Sequence, residues 1–246
     1  MDEFSGSVVE FRAEARRRAE IGDPEWTVGA TIPPAVVASV QRFQVGEAGD
    51  GANLIAKASG RGDYSVAVRL FVAEEQNHAR MLASLLEAAG APTIASHWSD
   101  AVFVRLRRAL GLRVELLVLV VAEVIALGYY RLLRDGTGDP LVTEVAGRIL
   151  ADEERHVPFH CRRLRGEFAG LPAPARTVVF GVWRVLLFGA SLVVAHDHGP
   201  ALRALGTTRR GFVVEVNRLF DGVLAAEFAS SPLTAGRGRT DHRPVG

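Results

Sequence analysis

The tetrapeptide E-x-x-H occurs twice in this chain, as Glu75-Gln76-Asn77-His78 and as Glu153-Glu154-Arg155-His156. Residues three apart share one face of an α-helix. Each motif, if helical, therefore aims a carboxylate and an imidazole at one point. Two further glutamates, Glu47 and Glu123, complete an alternation of Glu, Glu-x-x-His, Glu, Glu-x-x-His. Glu47 and Glu75 are 28 residues apart, and their midpoint is Arg61, the centre of Gly60-Arg61-Gly62. Glu123 and Glu153 are 30 apart, with their midpoint at Gly138 inside Gly136-Thr137-Gly138-Asp139. In an antiparallel helical hairpin, residues equidistant from the turn lie level, here about 21 Å from it at a rise of roughly 1.5 Å per residue. Both pairs should thus be level, and the two halves repeat with offsets of 76 and 78 residues.

The rest of the chain supports long helices. Strand signals are nearly absent, and glycine- and proline-rich punctuation separates segments of helical periodicity. A polar, arginine-rich helix is expected over about residues 3–20. A loop with Asp23-Pro24 and Pro33-Pro34 follows. Pro34 suits the first turn of a helix reaching about Ser59. Asp63 or Ser65 is placed to cap the next helix, which ends before Gly90-Ala91-Pro92. Residues 90–110 form a longer connection, with a short helix expected after Ser99-Asp100. An apolar helix over about 111–133 and one running to about Phe168 come next. Two more cover roughly 174–196 and 207–229. With 48% hydrophobic residues, the chain can bury a large core without disulfides. The reading is all-α: one domain over residues 1–232, with a bundle core at about 34–169, additional N- and C-terminal helices, and a disordered tail at 233–246.

Charge narrows the function classes. The formal net charge is +1, which argues against a large electrostatic commitment to nucleic acid. Only one lysine, Lys57, and one cysteine, Cys161, are present, so a disulfide framework is excluded. The N-terminus begins acidic and lacks the apolar segment of a secretory signal. The stretch from Thr177 to Ala195 comes nearest to a membrane span, but Arg184 near its centre would cost about 2.5–3.5 kcal/mol in a bilayer. It reads instead as a helix packed on the bundle, and the expected compartment is the cytoplasm.

The alternation of glutamates and E-x-x-H motifs is the ligand set of ferritin-like di-metal bundles. Ordinary surface carboxylates with two stray histidines would be the plain alternative. Glu123 resists it, because it lies in LLVLVVAEVIALGYY, and a lone buried carboxylate is costly unless paired or metal-bound. The 90–110 connection is long enough, at up to roughly 70 Å if extended, for the one crossover such a bundle needs.

Asp152-Glu153-Glu154-Arg155-His156 resembles the D-E-x-R-H segment of oxygen-activating di-iron proteins, and Glu74-Glu75-Gln76-Asn77-His78 resembles their first E-E-x-x-H. Ribonucleotide reductase small subunits, acyl-carrier-protein desaturases and bacterial multicomponent monooxygenases belong to that superfamily. The resemblance spans about residues 35–168. It implies a ferritin-like four-helix bundle holding two iron ions, with manganese or a mixed pair fitting the same donors. Glu47, Glu75 and His78 would serve one metal and Glu123, Glu153 and His156 the other, with Glu75 and Glu153 bridging. It also implies that Asp152, with Arg155, orients a ligating histidine. The chain is much shorter than the desaturases and monooxygenases. With one cysteine it lacks the CxxC iron site of rubrerythrins.

Smaller signals surround this set. Tyr130 lies two turns beyond Glu123 on the same face, as a hydrogen-bonding or radical group near the metals or as a core tyrosine beside Tyr129. His160, four after His156, is within reach of the cavity, with a solvent-facing or structural use as the preferred reading. His196-Asp197-His198 carries metal-binding side chains but, before Gly199-Pro200, reads as helix capping in preference to a metal site, and Cys161 reads as a packed residue. The function expected is an O2-dependent di-iron oxidase or oxygenase acting on a small or apolar organic substrate, fed by an external electron donor. Ferroxidase, iron-storage or rubrerythrin-like peroxide reduction is the alternative. No nucleic acid or membrane span is expected, and a homodimer is compatible.

Overall fold

The computed structural model describes residues 3–49, 51–98, 104, 105 and 111–228, and among these there is no strand. In chain order the helices are α1 (Ser5–Ile21), α2 (Pro34–Glu47), α3 (Ala52–Ala58), α4 (Asp63–Ala88), α5 (Leu112–Gly136), α6 (Pro140–Phe168), α7 (Ala173–Asp197), α8 (Gly199–Ala204) and α9 (Arg209–Phe228), with a 3-10 turn at Trp26–Val28. The short helix expected beyond Ser99 and the tail at 233–246 lie largely or wholly outside the described residues.

Two helical hairpins form the centre. One is α2 with α3 against α4, and the other is α5 against α6, the most extensive helix pair among the described residues. They meet where α4 packs on α6 and α3 on α5. The turns fall where the glycines required them. Gly60, Gly62 and Gly138 all have positive φ, which costs glycine nothing. Asp139 caps α6 by accepting the Val142 N–H at 3.0 Å, and Pro140 fills the first turn. The first hairpin is capped differently from expectation. Asp63 sits inside the first turn of α4, and Gly62 precedes it with no side-chain cap.

The helix expected to continue from Pro34 to Ser59 does not do so. It stops at Glu47 and restarts at Ala52. Gly51 has φ +61°, and a Cβ there would sit 2.4 Å from Val72 Cγ2 on α4. The residue thus lets the chain turn left-handed and lie against α4 at once. Gly46 and Gly49, by contrast, face open space. The register argument survives the break, because the interruption is short and both pieces lie along α4.

Outside this centre, α1 lies over α4, and α9 covers α5, α6 and α7. A buried polar cluster ties α2 and α5 to the start of α8. Ser39 Oγ is 2.7 Å from His198 Nδ1 and 3.0 Å from Tyr129 Oη. Phe43 stacks on the Tyr129 ring with centroids 3.7 Å apart. His198 therefore does more than cap α7.

Two outcomes follow. Gly51→Ala must strain both the backbone and the Val72 contact, and should destabilise by about 1–3 kcal/mol. Gly46→Ala, inside α2 and unobstructed, should stabilise by roughly 0.5–1 kcal/mol. Thermal denaturation of the two variants should move the midpoint in opposite directions. Burial also pushes the His198 imidazole down to about 4, from an ordinary value near 6.5. Between those values the unfolded chain takes up a proton that the folded one refuses. His198 thus supports the fold fully above pH ~6.5, and the support falls away as pH drops toward 4, by up to about 3 kcal/mol. His198→Gln should flatten the melting-temperature profile across that window relative to the parent.

Candidate metal centre

Four helices bring the six expected residues together. Glu47 is the last residue of α2, and α4 supplies Glu75 and His78. Glu123 comes from α5, and Glu153 and His156 come from α6. The His78 Nδ1 lies 3.3 Å from Glu153 Oε1, 3.5 Å from Glu75 Oε1 and 3.9 Å from Glu47 Oε2. The His156 Nδ1 lies 3.2 Å from Glu75 Oε1, 3.4 Å from Glu153 Oε2 and 3.5 Å from Glu123 Oε2. Both imidazoles are fully buried, and only Glu75, with a side chain 20% exposed, reaches appreciably toward solvent.

The donors fall into two overlapping groups, Glu47, Glu75, His78 and Glu153, and Glu75, Glu123, Glu153 and His156. Within each group, one donor atom per residue lies within 4.8 Å of the others, so each could hold a metal ion. Glu75 and Glu153 belong to both. The Nδ1 atoms of His78 and His156, Glu75 Oε1 and Glu153 Oε2 are buried without a hydrogen-bond partner. Buried polar atoms are rarely left so, and these four converge on one volume.

Each imidazole is fixed from behind by the acid that precedes the other motif. The His78 Nε2 is 3.0 Å from Asp152 Oδ2, and the His156 Nε2 is 3.0 Å from Glu74 Oε2. An N–H donated to a carboxylate sets the tautomer and leaves the Nδ1 lone pair facing inward. Arg18 of α1 joins the two acids, donating to Glu74 Oε1 at 2.6 Å and to Asp152 Oδ1 at 3.2 Å. Arg155 also donates to Asp152 and lies 3.7 Å from Glu74. Asp152, to which the resemblance assigned a histidine-orienting role, lies against His78, and Arg155 lies against Asp152. Glu74 was missed, although it occupies the same place in the first motif as Asp152 in the second. Arg18 was missed because nothing local distinguishes it among the arginines of α1.

The electrostatics of the cluster call for positive charge. Burial and then the charges of neighbouring glutamates push the carboxyls of Glu47 and Glu123 well above the ordinary carboxylate range. Burial alone would pull His78 and His156 down. Instead the carboxylates around them, Asp152 for His78 and Glu153 for His156, raise both. Burial works against the Asp152 carboxylate too, but the His78 hydrogen bond and the charges of His78, Arg18 and Arg155 hold it down at about 2.

No family model matches the chain, and no significant match to a curated protein or a solved structure is found. The donor set itself is therefore what indicates a metal.

Tyr130 is fully buried, and its phenol donates to Glu47 Oε1 at 2.6 Å. It is a hydrogen-bonding group of the cluster, whereas Tyr129 belongs to the Ser39–His198 network. His160, read as solvent-facing or structural in preference to reaching the cavity, is fully buried, with Nε2 3.9 Å from Glu123 Oε1. Phe71 closes over both α6 histidines, with ring centroids 4.7 Å from His156 and 4.6 Å from His160.

If Glu74 and Asp152 act as described, Glu74→Gln and Asp152→Asn should each weaken metal binding by about 10–100-fold. Competition against a coloured chelator would measure this. Parental affinity in Glu74→Gln would remove that residue from the metal-holding arrangement.

Proposed function

We propose that this chain is a ferritin-like di-iron carboxylate protein, and an O2-dependent oxidase or oxygenase for a small or apolar organic substrate. The observation that carries the reading is the pair of overlapping four-residue donor groups that share Glu75 and Glu153. Two carboxylates common to both groups would serve a pair of ions. The resemblance of the two motifs to those of oxygen-activating di-iron proteins supports iron, and the same donors suit manganese.

When bound, a ferrous pair would supply electrons and open coordination positions for O2 reduction and substrate oxidation. The chain's own residues would do the rest. Glu47 and His78 would hold one ion, Glu123 and His156 the other, with Glu75 and Glu153 spanning both. Asp152 and Glu74 keep both imidazoles in the ligating tautomer. Burial, followed by the neighbouring Glu47 charge, raises the Tyr130 phenol well above its usual range, so it stays a proton donor to Glu47. Phe71 and the apolar residues around Glu123 exclude water from one side. The single cysteine, Cys161, is buried and cannot build an iron–sulfur relay, and the proposed source of electrons is an external donor.

Elemental analysis after anaerobic iron loading should find two ions per chain. Glu123→Ala should lower that number while the helical circular dichroism is kept, because the change removes a ligand and alanine is the better helix former. Loaded protein exposed to O2 should consume it with an organic substrate in single turnover. Oxidation of many ferrous ions per chain with no organic product would support iron oxidation instead. Absence of bound iron or manganese after reconstitution would end the proposal.

A further inference from the structure

One face of α7 is apolar and exposed, and no described residue of the chain covers it. The helix packs inward through Trp183, Leu187, Ser191 and Ala195. Its outer face presents Val178, Val182, Val185, Phe188, Leu192 and Val193, between 42% and 72% exposed. α7 is long and apolar enough to cross a membrane, and only 22% of its most apolar window is buried, against 78% for α5. The exposed area of these six side chains is roughly 600 Å², at the upper end for the largest apolar patch of a monomer and close to the about 800 Å² that each partner contributes to a standard interface. Beside the ridge lies a groove of about 570 Å³ between α7 and α9, lined in part by Phe188, Leu192, Val213 and Val214.

Two glycines interrupt this face. Gly181 and Gly189 lie inside α7, and a Cβ at either would meet nothing within 4 Å. Glycine inside a helix costs about 0.8–1.0 kcal/mol relative to alanine, and no contact among the described residues requires it here. The pattern has a centre. Counted from Val185, the glycines stand at four residues on either side, Val182 and Phe188 at three, and Val178 and Leu192 at seven. Any helix face has symmetric spacing of this kind. The identities are specific: glycine faces glycine, and bulk faces bulk. The arginine of the segment, Arg184, lies at the edge, turned to Asp221 of α9 at 3.1 Å.

We propose that this face is closed by a second copy of the chain, through antiparallel pairing of the two α7 helices about a two-fold axis at Val185. In a two-fold contact the same patch serves both partners. Val178 of one copy then lies level with Leu192 of the other, and Val182 with Phe188. Gly181 meets Gly189, which lets the two backbones approach. The inference is independent of the metal centre.

Cysteine scanning of the full-length chain tests this, because the native Cys161 is buried. Light scattering should give twice the chain mass at micromolar concentration. Val185→Cys should crosslink to its own copy with a short bis-maleimide. Val178→Cys and Leu192→Cys should each fail alone, their like positions lying about 21 Å apart at 1.5 Å per residue, yet crosslink when mixed and exchanged. Val185→Glu should halve the mass with helicity unchanged. A monomeric parent would overturn the proposal. So would self-crosslinking at both 178 and 192, which marks parallel pairing. Sedimentation of the parent with anionic phosphatidylserine vesicles, lost in Val185→Glu, would assign the face to a membrane surface and overturn it equally.

Discussion

Mutual repulsion among buried carboxylates is the constraint around which the centre of this molecule is arranged. Glu47, Glu75, Glu123 and Glu153 converge on one volume with only two imidazoles among them. Two like charges 4 Å apart repel by about 4 kcal/mol even at an effective dielectric of 20. A few such pairs rival the whole stability of a typical domain, about 5–15 kcal/mol. The arrangement is sustainable only with positive charge at its centre, from cations or from protons. The raised carboxyls of Glu47 and Glu123 and the raised imidazoles express that demand within the protein itself.

The charge balance continues outward in alternating layers. Inner carboxylates and imidazoles are backed by Asp152 and Glu74, and those acids are backed by Arg18 and Arg155. Because each acid serves the histidine of the opposite motif, α4 and α6 are fastened together at the height of the cluster. The weakly amphipathic α1 joins this scheme through Arg18, through Arg162 donating to Ser7 at 2.9 Å, and through Phe11 against Phe159. Its polar composition suggests a solvated appendage, yet it closes one side of the centre.

The two hairpins are unequal in a way that bears on access. The α5–α6 hairpin is unbroken through the cluster, and its donors are almost wholly buried. The α2–α3 side breaks immediately after Glu47, and the adjacent Glu75 is the most exposed of the six residues. The left-handed Gly51 and its contact with Val72 account for the break. The periphery shows a related contrast between two similar-looking helices. α5 is apolar because it is buried, whereas α7 is apolar on a face that the described residues leave open.

Much of this was legible in the sequence because it depends on local periodicity. The i, i+3 spacing of each E-x-x-H places two donors on one helix face, and equal arms about Gly60-Arg61-Gly62 and Gly136–Asp139 bring the donors level, whatever surrounds them. The repeat also held the signal for Glu74, opposite Asp152 in the paired motif. Other features required the fold. The stop at Glu47 depends on where Val72 lies relative to Gly51, 21 residues earlier in the chain. Arg18 reaches Asp152 across 134 residues, and His198 finds Ser39 across 159. Periodicity carries no information about contacts at such separations. By itself the sequence determined the helices, the donors and their common height. Which distant charges surround the donors, where the first helix breaks and which apolar face stays open were decided by packing, because each depends on atoms that only the folded chain brings within a few ångströms.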